Sequence, residues 1–287
     1  MVLALCAALA AATAAGCRTL PSLGANGLLH PARHRLDASQ RAAAPAVVYQ
    51  ADAIALAGWR FPATGPRRGT IVYLHGVADN RAGALGVAAR FNPRGFDVVA
   101  YDSRAHGDSG GDVCTYGYYE KRDLQRVLDV LDKGPFILIG SSLGAAVALQ
   151  TAAEDARISA VVAAEAFSDL ATVARERAPW FFTRGSIRRA FAIAERTADF
   201  KIDEVSPAAA ARRIAIPVLL LHGSRDGETP PIHSQRIFDA LRGPRRLSIV
   251  DGAGHNQSLH ASWPEIERWI DQVIAPLVSG ARQVAFR

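Results

Sequence analysis

Cysteine and lysine are both scarce in this chain, and no apolar run reaches membrane-spanning length. The 287 residues hold cysteine only at Cys6, Cys17 and Cys114. No C-x-x-C pair and no Cys/His cluster is present, so neither a zinc site nor a thiol redox motif is indicated. Only Cys114 lies in the stretch of globular composition, which excludes a disulfide framework as the scaffold. Lysine occurs only at Lys121, Lys133 and Lys201, although the formal net charge is +6. The basicity therefore rests on arginines. They form no dense run and do not interleave with aromatics, so a nucleic-acid partner is not implied. What remains is a general surface charge or a preference for anionic membranes. The sequence carries no internal repeat, and nothing in it asks for a metal or another cofactor.

The longest apolar run, Val2 to Ala15, is too short to span a bilayer comfortably and has the length of the apolar core of a signal peptide. It ends in Ala14-Ala15-Gly16-Cys17. That ending resembles the lipobox of bacterial lipoproteins, in which the cysteine is lipidated and becomes the first residue. The run lacks a basic stretch before it, and Ala14 stands where leucine is commoner. Arg18, rather than aspartate, after the cysteine implies an outer-membrane address by the same resemblance. The expectation is a signal peptide over 1–16, lipidation at Cys17 with membrane anchoring, and a tether over 17–44, where Gly, Pro, Ser, Arg and Ala mix without period. This places the chain in the bacterial cell envelope, periplasmic or on the outer membrane. The alternative is a cytoplasmic protein with an Ala-rich N-terminal helix.

From residue 45 to about 280 the composition is that of a globular domain, within a chain 49% hydrophobic and 21% charged. Short β-rich runs are expected as strands over Val47–Gln50, Ile54–Phe61, Thr70–Leu74, Phe96–Tyr101, Phe136–Ile139, Ile158–Ala164, Pro217–Leu221 and Arg246–Val250. Helical patterns separate most of them, over Arg81–Phe91, Glu120–Asp132, from Ala145, over Ile232–Leu241 and over Pro264–Val278. Alternating strands and helices indicate an α/β fold with a mostly parallel sheet covered on both faces. In such sheets, function gathers at the carboxyl ends of the strands. Residues 171–213 are helical and break the rhythm.

One stretch organises the rest. Phe136 to Ile139 is a buried strand, Ala145 onward is helical, and between them Gly140-Ser141-Ser142-Leu143-Gly144 matches G-x-S-x-G. A serine at a sharp strand-to-helix turn takes a strained backbone, and its neighbours two residues away crowd strand and helix. Glycine at both places removes the Cβ atoms that would collide. Ser142 is thus the candidate nucleophile, at the helix N-terminus, where negative charge is favoured. A serine hydroxyl needs a base, and the base needs an orienting group. Asp226, in His222-Gly223-Ser224-Arg225-Asp226, and His255, in Asp251-Gly252-Ala253-Gly254-His255, each follow an expected strand. Glu165 and Glu228 are the other candidates for the acid. His75 and His222 end strands and are expected to pack and to hold loops, as is His106.

The elbow, His75-Gly76, Tyr101-Asp102-Ser103-Arg104-Ala105-His106-Gly107-Asp108-Ser109, His222-Gly223-x-x-Asp226 and Gly254-His255 together resemble the α/β-hydrolase fold. They are most similar to its serine aminopeptidase-type and Bem46-like branch. The resemblance spans roughly 46–278 and implies about eight strands, with a short helical lid inserted at 171–213. It makes Ser142 the nucleophile, His255 the general base and acid, and Asp226 the orienting carboxylate. The oxyanion donors would be the backbone N–H groups of Leu143 and, by position in the loop after the third strand, Val77. Asp102 and Arg104 are expected to hold their loop as an ion pair. In the lid, Trp180, Phe181 and Phe182 are candidates for an apolar acyl pocket or for simple docking of the lid on the core.

Three functions are open at this point. The first is a serine hydrolase that cleaves a carboxylic ester, such as an acyl ester, an acylglycerol or a thioester, through an acyl-enzyme. The second is an aminopeptidase-type enzyme with an acidic group, Glu165, Glu176 or Glu195, to hold the substrate amine. The third is a surface lipoprotein that keeps the fold as a non-catalytic scaffold.

Overall fold

The computed structural model describes residues 19–132 and 134–284. The expected signal peptide and Cys17 lie outside the described residues. Eight strands form one sheet: β1 (Ala46–Ala51), β2 (Ile54–Phe61), β3 (Gly69–Leu74), β4 (Phe96–Tyr101), β5 (Phe136–Ser141), β6 (Ile158–Ala164), β7 (Val218–Gly223) and β8 (Arg245–Val250). Their spatial order is β1-β2-β4-β3-β5-β6-β7-β8. β2 runs antiparallel to β1 and β4, and all other pairings are parallel.

The side-chain period of two explains the layering. In β3, β4, β5 and β7, one set of residues (Val72, Leu74, Val99, Tyr101, Leu138, Val218, Leu220) packs with α4 (Glu120–Asp129), α5 (Leu143–Ala152) and α9 (Ile232–Ala240). The alternate set (Ile71, Tyr73, Val98, Ala100, Ile137, Ile139, Leu219, Leu221) packs with α3 (Ala84–Phe91) and α11 (Trp263–Val284). Strands buried on both faces read as continuous apolar runs.

The chain reverses direction across the sheet at β3. β4 lies on one side of β3 and β5 on the other. Such a switch point opens a crevice at the strands' carboxyl ends. Parallel register aligns those ends, with Leu74 opposite Gly140, Ser141 opposite Ala164 and Gly223 opposite Val250. The segment between β6 and β7 is helical: α6 (Leu170–Glu176), α7 (Arg184–Ala198), a 3-10 turn (Ile202–Glu204) and α8 (Pro207–Ala211).

The tether expected over 17–44 is a correction. Residues 19–29 are helix α1, with Ala25 and Leu29 buried against Phe167, Leu170 and Ala194 of the lid side. The strand-free chain after it is also tied down. Cys114 N–H donates to Leu29 O at 2.8 Å, Asn80 Nδ2 to His34 O at 2.9 Å and Arg33 to Ser109 O at 2.7 Å. Leu36 packs with Ala44 and Trp59. A capping box between Asp37 and Gln40 then starts α2 (Ala38–Arg41). The glycines and Pro21 hide a helical spacing of Leu20, Leu23 and Leu28.

Candidate active site

β5 delivers Ser142 into a backbone conformation of φ 51° and ψ −111°, a left-handed setting that costs a non-glycine residue about 1–3 kcal/mol. The turn is tight enough that a Cβ on Gly140 would lie 2.6 Å from Ala145 N, and one on Gly144 would lie 2.8 Å from His75 O, with other backbone atoms closer still. Neither neighbour is a side chain that can swing away. Gly144→Ala is therefore expected to lower stability by about 3 kcal/mol or more, at the upper end of overpacking costs. Urea unfolding measures it, and a loss under about 1 kcal/mol would contradict this packing.

The loops after β7 and β8 bring Asp226 and His255 to Ser142. His255 Nδ1 lies 2.7 Å from Asp226 Oδ2, and Nε2 lies 3.1 Å from Ser142 Oγ. A carboxylate only accepts, so Nδ1 carries the proton and Nε2 offers its lone pair to the serine hydroxyl. Asp226 is itself held from several sides. Its Oδ1 accepts Glu228 N–H at 3.0 Å and Thr229 N–H at 2.9 Å, and its Oδ2 lies 3.2 Å from His222 Nε2. Burial works to raise its pKa, but the hydrogen bonds from His222, His255 and Thr229 outweigh it and hold the carboxyl well below the usual carboxylate range. Asp226 is therefore ionised at neutral pH. His222 takes its own position from Thr229 O at 2.6 Å and Ser234 Oγ at 2.7 Å. The contact of His222 with Asp226 was readable only as the i,i+4 spacing of the H-G-x-x-D stretch.

Glu165 does not reach His255. It is fully buried at φ 51°. Its Oε1 accepts Ser258 N–H at 2.8 Å and also the Ser258 hydroxyl, while Ser141 Oγ lies 3.3 Å from its Oε2. Glu165 thus fastens the histidine loop to the strand edge. Nothing in the sequence marked Ser258 as its partner.

Leu143 is the first residue of α5, so its N–H has no carbonyl one turn back to donate to. Gly76 packs beside the elbow, and a Cβ on it would sit 3.7 Å from Ser142 Cβ. Val77 follows and lines, with Tyr73, Ser141, Asn256 and Leu259, a cavity of about 240 Å³. The aromatic candidates fall elsewhere. Trp180 is 94% exposed. Phe181 and Phe182 line a groove of about 500 Å³ between α1 and the lid, and none of Ser142, Asp226 or His255 lines it. They do not build an acyl pocket over the elbow.

The expected Asp102–Arg104 pair is also corrected. Arg104 forms a bidentate pair with Asp123, both contacts at 2.7 Å, while Asp102 pairs with Arg81. Each partner comes from a distant part of the chain, because neighbours two residues apart in this turn face different loops. His75 donates through Nδ1 to Gly76 O at 2.7 Å and accepts Ser103 N–H on Nε2 at 2.9 Å. His106 donates to Arg104 O at 2.8 Å, and its buried Nε2 has no partner.

Burial, reinforced by neighbouring His75, pushes the His106 pKa from 6.5 down to about 4. The unfolded chain binds this proton below pH 6.5 and the folded chain does not, so stability is complete above that pH and falls as pH drops toward 4. The expected loss over this window is about 3 kcal/mol, with His75 acting in the same direction. Urea midpoints against pH should show it, and His106→Asn should flatten the curve. Equal slopes in both proteins would refute it.

A family model for the α/β-hydrolase fold matches residues 69–192, and one described as TAP-like protein matches 195–272. YfhR of Escherichia coli O157:H7 is 30% identical over 217 residues, covering 71% of this chain and 70% of that protein.

The chain belongs to the α/β-hydrolase family.

YqkD of Bacillus subtilis is 31% identical over 199 residues, and the match spans 66% of this α/β-hydrolase and 65% of YqkD. Among solved structures, the Pyrococcus furiosus esterase Pf2001 superimposes with a TM-score of 0.68 at 22% identity, covering 86% of this chain and 98% of that one. Mouse α/β hydrolase domain-containing protein 10 gives 0.62 at 22% identity, covering 80% and 100%. These likenesses establish the fold. Among the described residues of this α/β-hydrolase, no group of three or more His, Cys, Asp or Glu side chains is arranged to hold a metal ion.

Proposed function

We propose that this α/β-hydrolase cleaves a carboxylic ester through an acyl-enzyme on Ser142. The observation that carries the reading is the continuous line of hydrogen bonds from Ser142 Oγ to His255 Nε2, at 3.1 Å, and from Nδ1 to Asp226, at 2.7 Å. Ser142 Oγ attacks the ester carbonyl as its proton passes to His255 Nε2. Asp226 stabilises the imidazolium and keeps Nδ1 as the donor. The oxyanion forms against the N–H groups of Leu143 and Val77. The C–O bond to the alcohol breaks as His255 returns the proton to the leaving oxygen. Water then attacks the acyl carbon as its proton passes to His255 Nε2, and His255 returns that proton to Ser142 Oγ as the acyl–serine bond breaks and the acid leaves.

A peptidase that grips a substrate amine would need a free carboxylate. The three candidates are engaged. Glu165 holds Ser258, Glu176 Oε2 accepts from His233 Nε2 at 2.7 Å, and Glu195 accepts Ile202 N–H at 3.1 Å. The test is kcat/KM on p-nitrophenyl esters of increasing chain length and on aminoacyl p-nitroanilides. Hydrolysis of esters in this series well above the anilides is expected. Turnover of the anilides alone would replace the esterase reading by the peptidase one. Lipidation at Cys17 and an envelope location belong to the same proposal and rest on residues 2–17.

A further inference from the structure

The lid carries a surface the proposed chemistry does not use. Large apolar side chains stand in solvent on neighbouring elements: Leu23 of α1 is 63% exposed, Phe181 47% and Trp180 94%. Trp180 and Phe181 meet edge to face with centroids 5.8 Å apart, so they form one apolar tip rather than scattered residues. α1 and the lid are one surface here. Gly24 lets α1 approach so closely that a Cβ on it would lie 2.9 Å from the Phe182 ring. The groove between them, about 500 Å³, is lined by Leu20, Leu23, Leu28, Phe182, Ile187 and Phe191 among others.

Cations flank this tip. Arg184 and Arg188 lie one turn apart on α7 and are exposed, as is Arg189, and none of the three makes an ion pair among the described residues. The nearby acid Glu176 is already taken by His233. Over residues 175–191 five arginines stand against one acid, Glu176, so the lid tip keeps a net positive charge. Cys17, the proposed lipidation site, stands two residues before α1 in the sequence, so a lipid there would anchor at a bilayer the helix that forms one wall of the apolar groove.

We propose that the face formed by α1 and the lid tip Trp180–Phe181 docks on an anionic lipid bilayer. Trp180 and Phe181 enter the interfacial layer, where an aromatic ring keeps its apolar body in the acyl boundary and its polar edge in the headgroups. Arg184 and Arg188 face the anionic headgroups, each contributing an attraction that falls off within a Debye length. This inference does not depend on the ester reading, because none of its residues belongs to the Ser142–His255–Asp226 line.

The experiment uses the full chain and vesicles of phosphatidylcholine with or without phosphatidylglycerol, the lipids carrying bromine on their acyl chains. Bromine quenches only an indole that enters the bilayer. Trp59, Trp263 and Trp269 are buried, so Trp180 dominates the readout. Emission should be quenched on phosphatidylglycerol vesicles, and Trp180→Phe should remove the quenching. Arg184→Gln combined with Arg188→Gln should weaken binding about 30-fold at low salt, while hydrolysis of a soluble ester is kept. Vesicle flotation run in parallel separates this face from the N-terminal run. Flotation without Trp180 quenching would mean that residues 2–17 bind alone and would overturn the proposal. Absence of flotation would overturn it too, and equal quenching on vesicles without phosphatidylglycerol would remove the role of the arginines.

Discussion

Ser142→Ala is expected to lower kcat for ester hydrolysis by about 10⁴–10⁶-fold, with the fold intact. The hydroxyl is the only group removed, and its hydrogen bond to His255 Nε2, at 3.1 Å, goes with it. A fluorophosphonate probe, which reacts with an activated serine, should label the wild-type protein and leave the variant unlabelled. Asp226→Asn should cost about 10⁴-fold by a different route. Its amide oxygen would take the Glu228 and Thr229 N–H groups, leaving the NH2 against His255. His255 would then turn to the tautomer with the proton on Nε2, which cannot receive the serine proton. Ser142→Gly separates catalysis from stability. Glycine tolerates φ 51°, so this inactive variant should be more stable than wild type by about 1 kcal/mol. If Ser142→Ala keeps activity within tenfold and is still labelled, another residue is the nucleophile.

What the sequence disclosed and what it hid divide along a physical line. The elbow was legible because two glycines and a serine between a buried strand and a helix answer to local sterics, and the backbone at Gly140 and Gly144 leaves no room for a Cβ. Asp226 and His255 were legible because a parallel sheet delivers every strand's carboxyl end to one edge. The pairing of charges was not legible. Asp102 and Arg104 are close neighbours in sequence, yet each finds its partner across the fold, in Arg81 and Asp123. Such choices are fixed by tertiary packing. Residues 19–29 misled for the opposite reason: Gly24, which looked like part of a flexible linker, is what allows a helix to lie against the Phe182 ring. The aromatic run at Trp180 read equally as an acyl pocket or as docking of the lid on the core, because composition reports apolarity but not which way a face points.

Arg81→Met should be the most destabilising single change of a charged residue in this protein, by about 3–5 kcal/mol. Arg81 Nη1 pairs with Asp102 Oδ2, and the two side chains are 5% and 0% exposed. The guanidinium also lies over the Trp59 ring at 5.0 Å and reaches Asp108 at 3.3 Å. Methionine would fill much of the space and keep contact with the indole, so the loss isolates the charge. Asp102 would retain the backbone N–H groups of Arg81, at 2.7 Å, and Asp108, at 2.8 Å, but no cation in a site closed to water. A melting temperature lower by roughly 10 °C is expected. Arg126→Met is the matched control. Its partners Asp52 and Asp129 are exposed, so water screens the pair and the cost should stay below about 1 kcal/mol. The same Arg81–Asp102 contact joins the loop after β3, which carries Val77, to the loop after β4. If the Val77 amide is the proposed oxyanion donor, Arg81→Met should also lower kcat more than it raises KM, because a loosened amide would fail the oxyanion rather than the bound substrate. Equal stability losses for Arg81→Met and Arg126→Met would show that the buried pair is no stronger than a surface one and that the loop is held by its backbone hydrogen bonds alone.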